Sequence, residues 1–320
     1  MTIQPTVNNF AGDPLAQIVR GGLVESVHSG RLALINSDGT VRTAVGDIDA
    51  PMYPRSSIKS FQAAAMVRNG LQLAPKQLAI VCASHSGSKA HFEVVESILR
   101  SAGLTTADLR NTADLPLGRT ERQEWGTHSP SRLAQGCSGK HAGMLATCVV
   151  NDWDTDSYLE PGHPLQIAIR EEIESLIGDL VISTTVDGCG APLFAITTKN
   201  FAQGAHKMRI SQDPVHQSVV AACLAHPDMV AGAGRLTTTL MAQVPGLFVK
   251  DGAEAVELLS LADGRACVFK VSDGSDRAFP AIIAAIFKAW NIDVRIDPVL
   301  VRGGSQVTGE IQVSNFLTEL

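Results

Sequence analysis

The sequence predicts an α/β fold whose antiparallel sheet is assembled from both ends of the chain, with flanking helices and a helical region inserted between them. Three observations carry this. Gly22 to Ser29 and Arg31 to Val45 read as strands, the second region folded back at Ser37-Asp38-Gly39, an Asp-Gly hairpin signal. Leu247-Phe248-Val249-Lys250 and Arg265 to Val271 read as strands near the other end, the latter turning at Ser272-Asp273-Gly274 into a long helix around Ile282, Ile286 and Trp290. Between these ends the apolar spacing is mostly helical. The sheet portion is therefore expected over about 20–50 and 245–320 and the helical portion over about 55–245. With no repeat, low-complexity tract or linker, the 320 residues are expected to form a single domain.

Taken in order, the chain begins with a loose N-terminus before Gly22. A helix around Ile58, Phe61 and Ala65 ends at Asn69-Gly70, a usual C-terminal stop. Pro75 opens a second helix whose apolar end, Ile80 to Ala83, runs into Ser84-His85-Ser86-Gly87. His91 to Ala102 is amphipathic through Phe92, Val95, Ile98 and Leu99. Residues 110–136, rich in Arg, Pro, Thr and Gly, are longer than an ordinary connection and read as a lid. Gly136-Cys137-Ser138-Gly139-Lys140-His141 then enters an apolar helix, and Pro164 starts another. Val181 to Val186 reads as a strand ending at Asp187-Gly188-Cys189-Gly190. Pro214 to Ala225 reads as helix, as does Ala253 to Leu261 after a turn at Asp251-Gly252.

Composition excludes several classes of function. The chain is 45% hydrophobic and 18% charged, with a net charge of −6 and no basic run, so a nucleic-acid partner has no electrostatic footprint. No stretch approaches a membrane span, and no basic-then-apolar leader opens the sequence, so a cytoplasmic protein is expected. The six cysteines, at 82, 137, 148, 189, 223 and 267, are expected as free thiols, because a core of this size needs no staples. Cys82, Cys148, Cys223 and Cys267 lie in apolar stretches and read as core.

Chemistry concentrates at element ends. Ser56 and Lys59 stand three positions apart at a helix start and share a face, a nucleophile beside its base. The lysine can serve only if its pKa falls from about 10.4 toward 7–8. The pair alone is weak, since Ser86 and Lys89 repeat the spacing. Cys137 and Cys189 each sit among glycines, where two thiolates and one nitrogen would suit tetrahedral zinc. By residue type alone His141 is the natural nitrogen, and two tight turns with incidental cysteines are the bland alternative. Lys250-Asp251-Gly252 at a strand end has the shape of the Lys-x-Gly element that faces the nucleophile in Ser-x-x-Lys enzymes.

Six stretches in order resemble one family. Arg55-Ser56-Ser57-Ile58-Lys59, Ala83-Ser84-His85-Ser86, Cys137-Ser138-Gly139-Lys140-His141-Ala142-Gly143-Met144-Leu145, Asp187-Gly188-Cys189, Met229-Val230-Ala231-Gly232 and Lys250-Asp251-Gly252-Ala253-Glu254 are similar to the Rhizobium-etli-type, thermolabile or class 3, L-asparaginases. The resemblance implies a fold similar to serine β-lactamases and glutaminases, hydrolysis of L-asparagine to aspartate and ammonia, and a homodimer. It implies Ser56 as nucleophile with Lys59 as base, Ser84 and Lys250 as a second Ser-Lys pair, and zinc held by Cys137, Lys140 and Cys189, Lys140 displacing His141. Ala255 stands where that family often has glycine, and Lys89 puts a cation before His91 where acidic or neutral residues are usual. Glutamine or a β-lactam-like amide as substrate, and a non-catalytic zinc-binding sensor, are the alternatives.

Overall fold

The computed structural model describes residues 12–314. Strands β1 (Asp13–Arg20), β2 (Leu23–Ile35), β3 (Val41–Val45) and β4 (Pro51–Met52) lead to a 3-10 turn (Arg55–Ile58) that runs straight into helix α1 (Lys59–Arg68). Helices α2 (Pro75–Val81), α3 (Lys89–Ser101), α4 (Arg119–Trp125), α5 (Ser138–Val150) and α6 (Pro164–Ile177) follow, then β5 (Ser183–Val186) and β6 (Pro192–Thr197). Helices α7 (Thr198–Ile210), α8 (Pro214–Ala225), α9 (Pro227–Val230) and α10 (Leu236–Gln243) complete the insertion. The chain closes with β7 (Phe248–Gly252), β8 (Val256–Ser260), β9 (Ala266–Val271), α11 (Phe279–Ala289), β10 (Leu300–Gly303) and β11 (Gln306–Val313).

The main sheet runs β10-β11-β1-β2-β9-β8-β7, with β3 also paired to β2, and every pairing is antiparallel. It is thus built from both chain ends, as the sequence predicts. Strand β2 sits at its centre. Leu32, Ala33, Leu34 and Ile35 are all buried, so this stretch shows no alternation: α7 packs against β2 and β9, and each side chain meets protein. Gly30 lets β9 close on β2, since a Cβ there would lie 2.2 Å from the Lys270 carbonyl oxygen. A small second sheet, β4-β6-β5, lies in the inserted region. Cys82, Cys148, Cys223 and Cys267 are fully buried core residues.

Two expectations are corrected. Ala253 to Leu261 is not helix but the turn and strand of the β7–β8 hairpin, with Phe248 opposite Ser260 and Gly252 opposite Val256. Its five strand residues are all buried, and a short apolar run of this kind fits either period; pairing between β7 and β9 decides it. The N-terminal stretch is not loose from Asp13 onward, because Ala16 and Ile18 on β1 bury against the core while the strand pairs β2 and β11. Residues 1–11 of that stretch lie outside the described residues. Helices α7 and α10 and strand β6 carry no strong signal in the sequence.

Candidate active site

Ser56 stands on the 3-10 turn ahead of α1. Three residues per turn eclipse positions i and i+3, which keeps Ser56 and Lys59 on one side. Arg55, just before it, adopts a left-handed backbone (φ +53°), a conformation costing about 1–3 kcal/mol for a residue with a Cβ. Its guanidinium Nε donates to Asp187 Oδ1 at 2.6 Å, and Ser57 Oγ donates to the Pro54 carbonyl at 2.6 Å, so both flanks of Ser56 are fixed. Ser56 Oγ itself has no hydrogen-bond partner among the described residues and lines a cleft of about 480 Å³.

Ser84 lines the same cleft, in a segment after α2 pinned from two sides. Its backbone N–H donates to Val230, that of Ser86 to Ala231, and that of His85 to Gly136. Two of the three lysines predicted for the site, Lys59 and Lys250, converge on it. Lys250 Nζ, on β7, donates to Ser84 Oγ at 3.1 Å, and Lys59 Nζ approaches the same oxygen at 3.5 Å. Lys59 also donates to the Ala83 carbonyl and to Cys137 Sγ at 3.0 Å, and makes no hydrogen bond to Ser56. Burial pushes the Lys250 pKa below the ordinary lysine value, Lys59 adds to that push, and Asp251, 2.6 Å away, resists it without reversing it. Asp251 is bound on its other oxygen by Arg235 at 2.7 Å, and Arg235 also donates to the Ser84 carbonyl.

The two thiols meet on the other flank. Cys137 precedes α5, Cys189 follows β5, and both line the cleft. The neighbouring Cys189, reinforced by burial, pushes the Cys137 thiol up to about 12. Cys189 is shifted the other way, well below the ordinary thiol value, by Cys137 first and by Lys140, against burial. Lys140 Nζ donates to Cys189 Sγ at 3.3 Å. Burial lowers the Lys140 pKa, but Cys189, Cys137 and Asp187 outweigh it and the net shift is upward.

The sequence profile of L-asparaginase II matches residues 16–310. The chain belongs to the L-asparaginase II family. It is an amidohydrolase acting on a small-molecule substrate. Among solved structures it is similar to Mglu in its native form (11% identity, TM-score 0.46, 88% of this chain and 70% of that one). It is also similar to a putative beta-lactamase from Bacteroides dorei (14%, TM-score 0.43, 76% and 84%). A third likeness is to a probable glutaminase from Bacillus subtilis complexed with 6-diazo-5-oxo-L-norleucine (14%, TM-score 0.37, 92% and 99%). No curated protein matches the sequence.

In this L-asparaginase II family chain every predicted site residue lies in or directly under the cleft, and Lys59 bridges the serine and thiol sides. His141 does not join the thiols: its Nδ1 is 2.8 Å from the Tyr158 hydroxyl, and no group of three His, Cys, Asp or Glu side chains able to hold a metal occurs among the described residues. A set with a lysine amine is chemically compatible. Sulfur at about 2.3 Å and nitrogen at about 2.0 Å from a tetrahedral zinc lie about 3.5 Å apart, and Lys140 and Cys189 stand at 3.3 Å. Sequence reasoning missed Arg235 and the pairing role of Asp251. Arg235 follows Gly232-Ala233-Gly234, just past the Met229-Val230-Ala231-Gly232 stretch, which pointed to the loop but not to the arginine. Residues 110–136 supply Asp114, Leu115 and Leu117 to the cleft wall, tied down where Gly118 N–H donates to Ser86.

Proposed function

We propose that this amidohydrolase converts L-asparagine to aspartate and ammonia through an acyl-enzyme on Ser56. The observation that supports this best is the division of labour in the cleft: one serine hydroxyl without a hydrogen-bond partner among the described residues, a second on the same cleft held between two lysines. Ser56 Oγ attacks the side-chain amide carbon, and Lys59 serves as the base that takes its proton. Collapse of the tetrahedral adduct breaks the C–N bond, and a proton carried by the Lys59–Ser84–Lys250 chain departs with ammonia. Water, deprotonated along the same chain, then attacks the Ser56 ester and releases aspartate. Lys250 donates to Ser84 Oγ and orients that hydroxyl, its charge restored at the end of each transfer.

Cys137, Lys140 and Cys189 would hold a zinc ion, with Lys140 giving up its proton to ligate. Bound there, zinc supplies positive charge and an open coordination position for substrate oxygen. The two Ser-Lys pairs already provide a nucleophile and its base, so the metal's part is binding and positioning. Ammonia release from asparagine and glutamine, measured side by side, tests the reading. Asparagine should be the better substrate by at least tenfold in kcat/KM; preference for glutamine, or no release from either, would overturn it.

A further inference from the structure

The turn of the β7–β8 hairpin carries two adjacent residues in the left-handed region, Glu254 (φ +59°) and Ala255 (φ +54°), neither of them glycine. This pair sets the direction of one side chain. Glu254 lines the same cleft as Ser56, and it also borders an adjoining groove lined by Tyr53, Ile182 and Val186. Its carboxylate makes no hydrogen bond or ion pair among the described residues. Lys270 donates to the Glu254 main-chain carbonyl at 2.7 Å, and the carboxylate meets that lysine through charge alone, with no hydrogen bond. Across the cleft wall Gly274 makes room for that carboxylate: a Cβ at Gly274 would lie 2.6 Å from Glu254 Oε2.

The other charged groups of the cleft are committed except Asp276, whose exposed carboxylate makes no hydrogen bond or ion pair among the described residues. Arg55 binds Asp187, Arg235 binds Asp251, and Asp114 accepts from the Leu115 N–H. Asp276 begins the 3-10 turn Asp276–Ala278 behind Gly274. We propose that Glu254 is a specificity-determining residue whose carboxylate receives the substrate's α-ammonium group, so that the cleft selects free amino-acid amides over amides lacking that charge. This rests on the asparaginase reading and deepens it. An ammonium against an ionised carboxylate gives a charge-assisted hydrogen bond. A substrate without the ammonium leaves the carboxylate facing an apolar carbon, which is how a built polar site rejects an analogue.

The test compares asparagine with succinamate, the same side-chain amide without the ammonium, in the wild type and in Glu254→Gln. Glutamine is nearly isosteric with glutamate, and its melting temperature reports whether the hairpin survives. The wild type should prefer asparagine at least 100-fold in kcat/KM. In E254Q the KM for asparagine should rise at least tenfold, and the preference over succinamate should fall at least tenfold. Equal losses on both substrates, or preserved discrimination in E254Q, would overturn the role of Glu254 while leaving the asparaginase reading in place. A wild type that releases no ammonia from asparagine overturns both. Should E254Q lose its fold, Glu254→Asp, which keeps the charge and withdraws it by one methylene, should still discriminate at least fivefold better than Glu254→Ala; equal discrimination by the two would count against the proposal.

Discussion

Ser56 and Ser84 are the same residue in two opposite environments. Ser56 is half-buried, unpaired and presented to the cleft by a left-handed residue; Ser84 is almost fully buried, with its oxygen between two lysine amines and its backbone pinned on both sides. A nucleophile must reach substrate, whereas a proton relay must hold its partners. The difference therefore assigns chemistry to Ser56 and proton transfer to Ser84, even though the lysine three residues after Ser56 leans toward Ser84.

The largest effects should fall on the serines themselves. Ser56→Ala should lower kcat by about 10³-fold or more with little change in melting temperature, because it removes a hydroxyl that packs against nothing. Ser84→Ala should lower kcat by about 10²–10³-fold but leave slow acylation of Ser56 detectable in a stopped assay. Near wild-type turnover in S56A with complete loss in S84A would reverse the assignment.

The relay can be sharpened by pH. Lys250 loses its proton below the ordinary lysine value, so activity that needs its charge should decline on the alkaline side before pH 10.5. Asp251 favours the charged form. Asp251→Asn should therefore move that falling limb to lower pH, and a rate profile with the limb unmoved or moved upward would break the link between Lys250 and Ser84.

On the thiol flank, metal analysis should find one zinc per chain, and Cys189→Ser should lower the occupancy. Chelation should raise the KM for asparagine while Ser56 remains open to acylation. Unchanged occupancy in C189S would remove Cys189 from the ligand set. The smallest effect concerns the hairpin: Ala255→Gly should raise stability by about 0.5–1 kcal/mol in a denaturant titration, since left-handed backbone strain of about 1–2 kcal/mol is relieved against the entropy of glycine.

Much of this was legible in the residues. Strands with strong β-branched and aromatic content, such as Ala266–Val271, and helices opened by proline, such as α6 and α8, were readable locally. The segment Val256–Ser260 was not, because five buried residues in a row carry no period and only its neighbours make it a strand. The seven site residues were visible as glycine-flanked or Ser-Lys motifs. Their wiring was not: Lys59 reaches Ser84 and Cys137 through space, and Arg235 enters from a loop more than 150 residues along the chain. The glycine usual at position 255 also acquires a cause, since the backbone there is left-handed.

The most direct measurement is the site of acylation. Acid quench during turnover of asparagine, followed by proteolysis and tandem mass spectrometry, should find an aspartyl ester on Ser56 in the wild type and in Ser84→Ala, and none in Ser56→Ala. An aspartyl ester on Ser84, in the wild type or in S56A, would contradict the account.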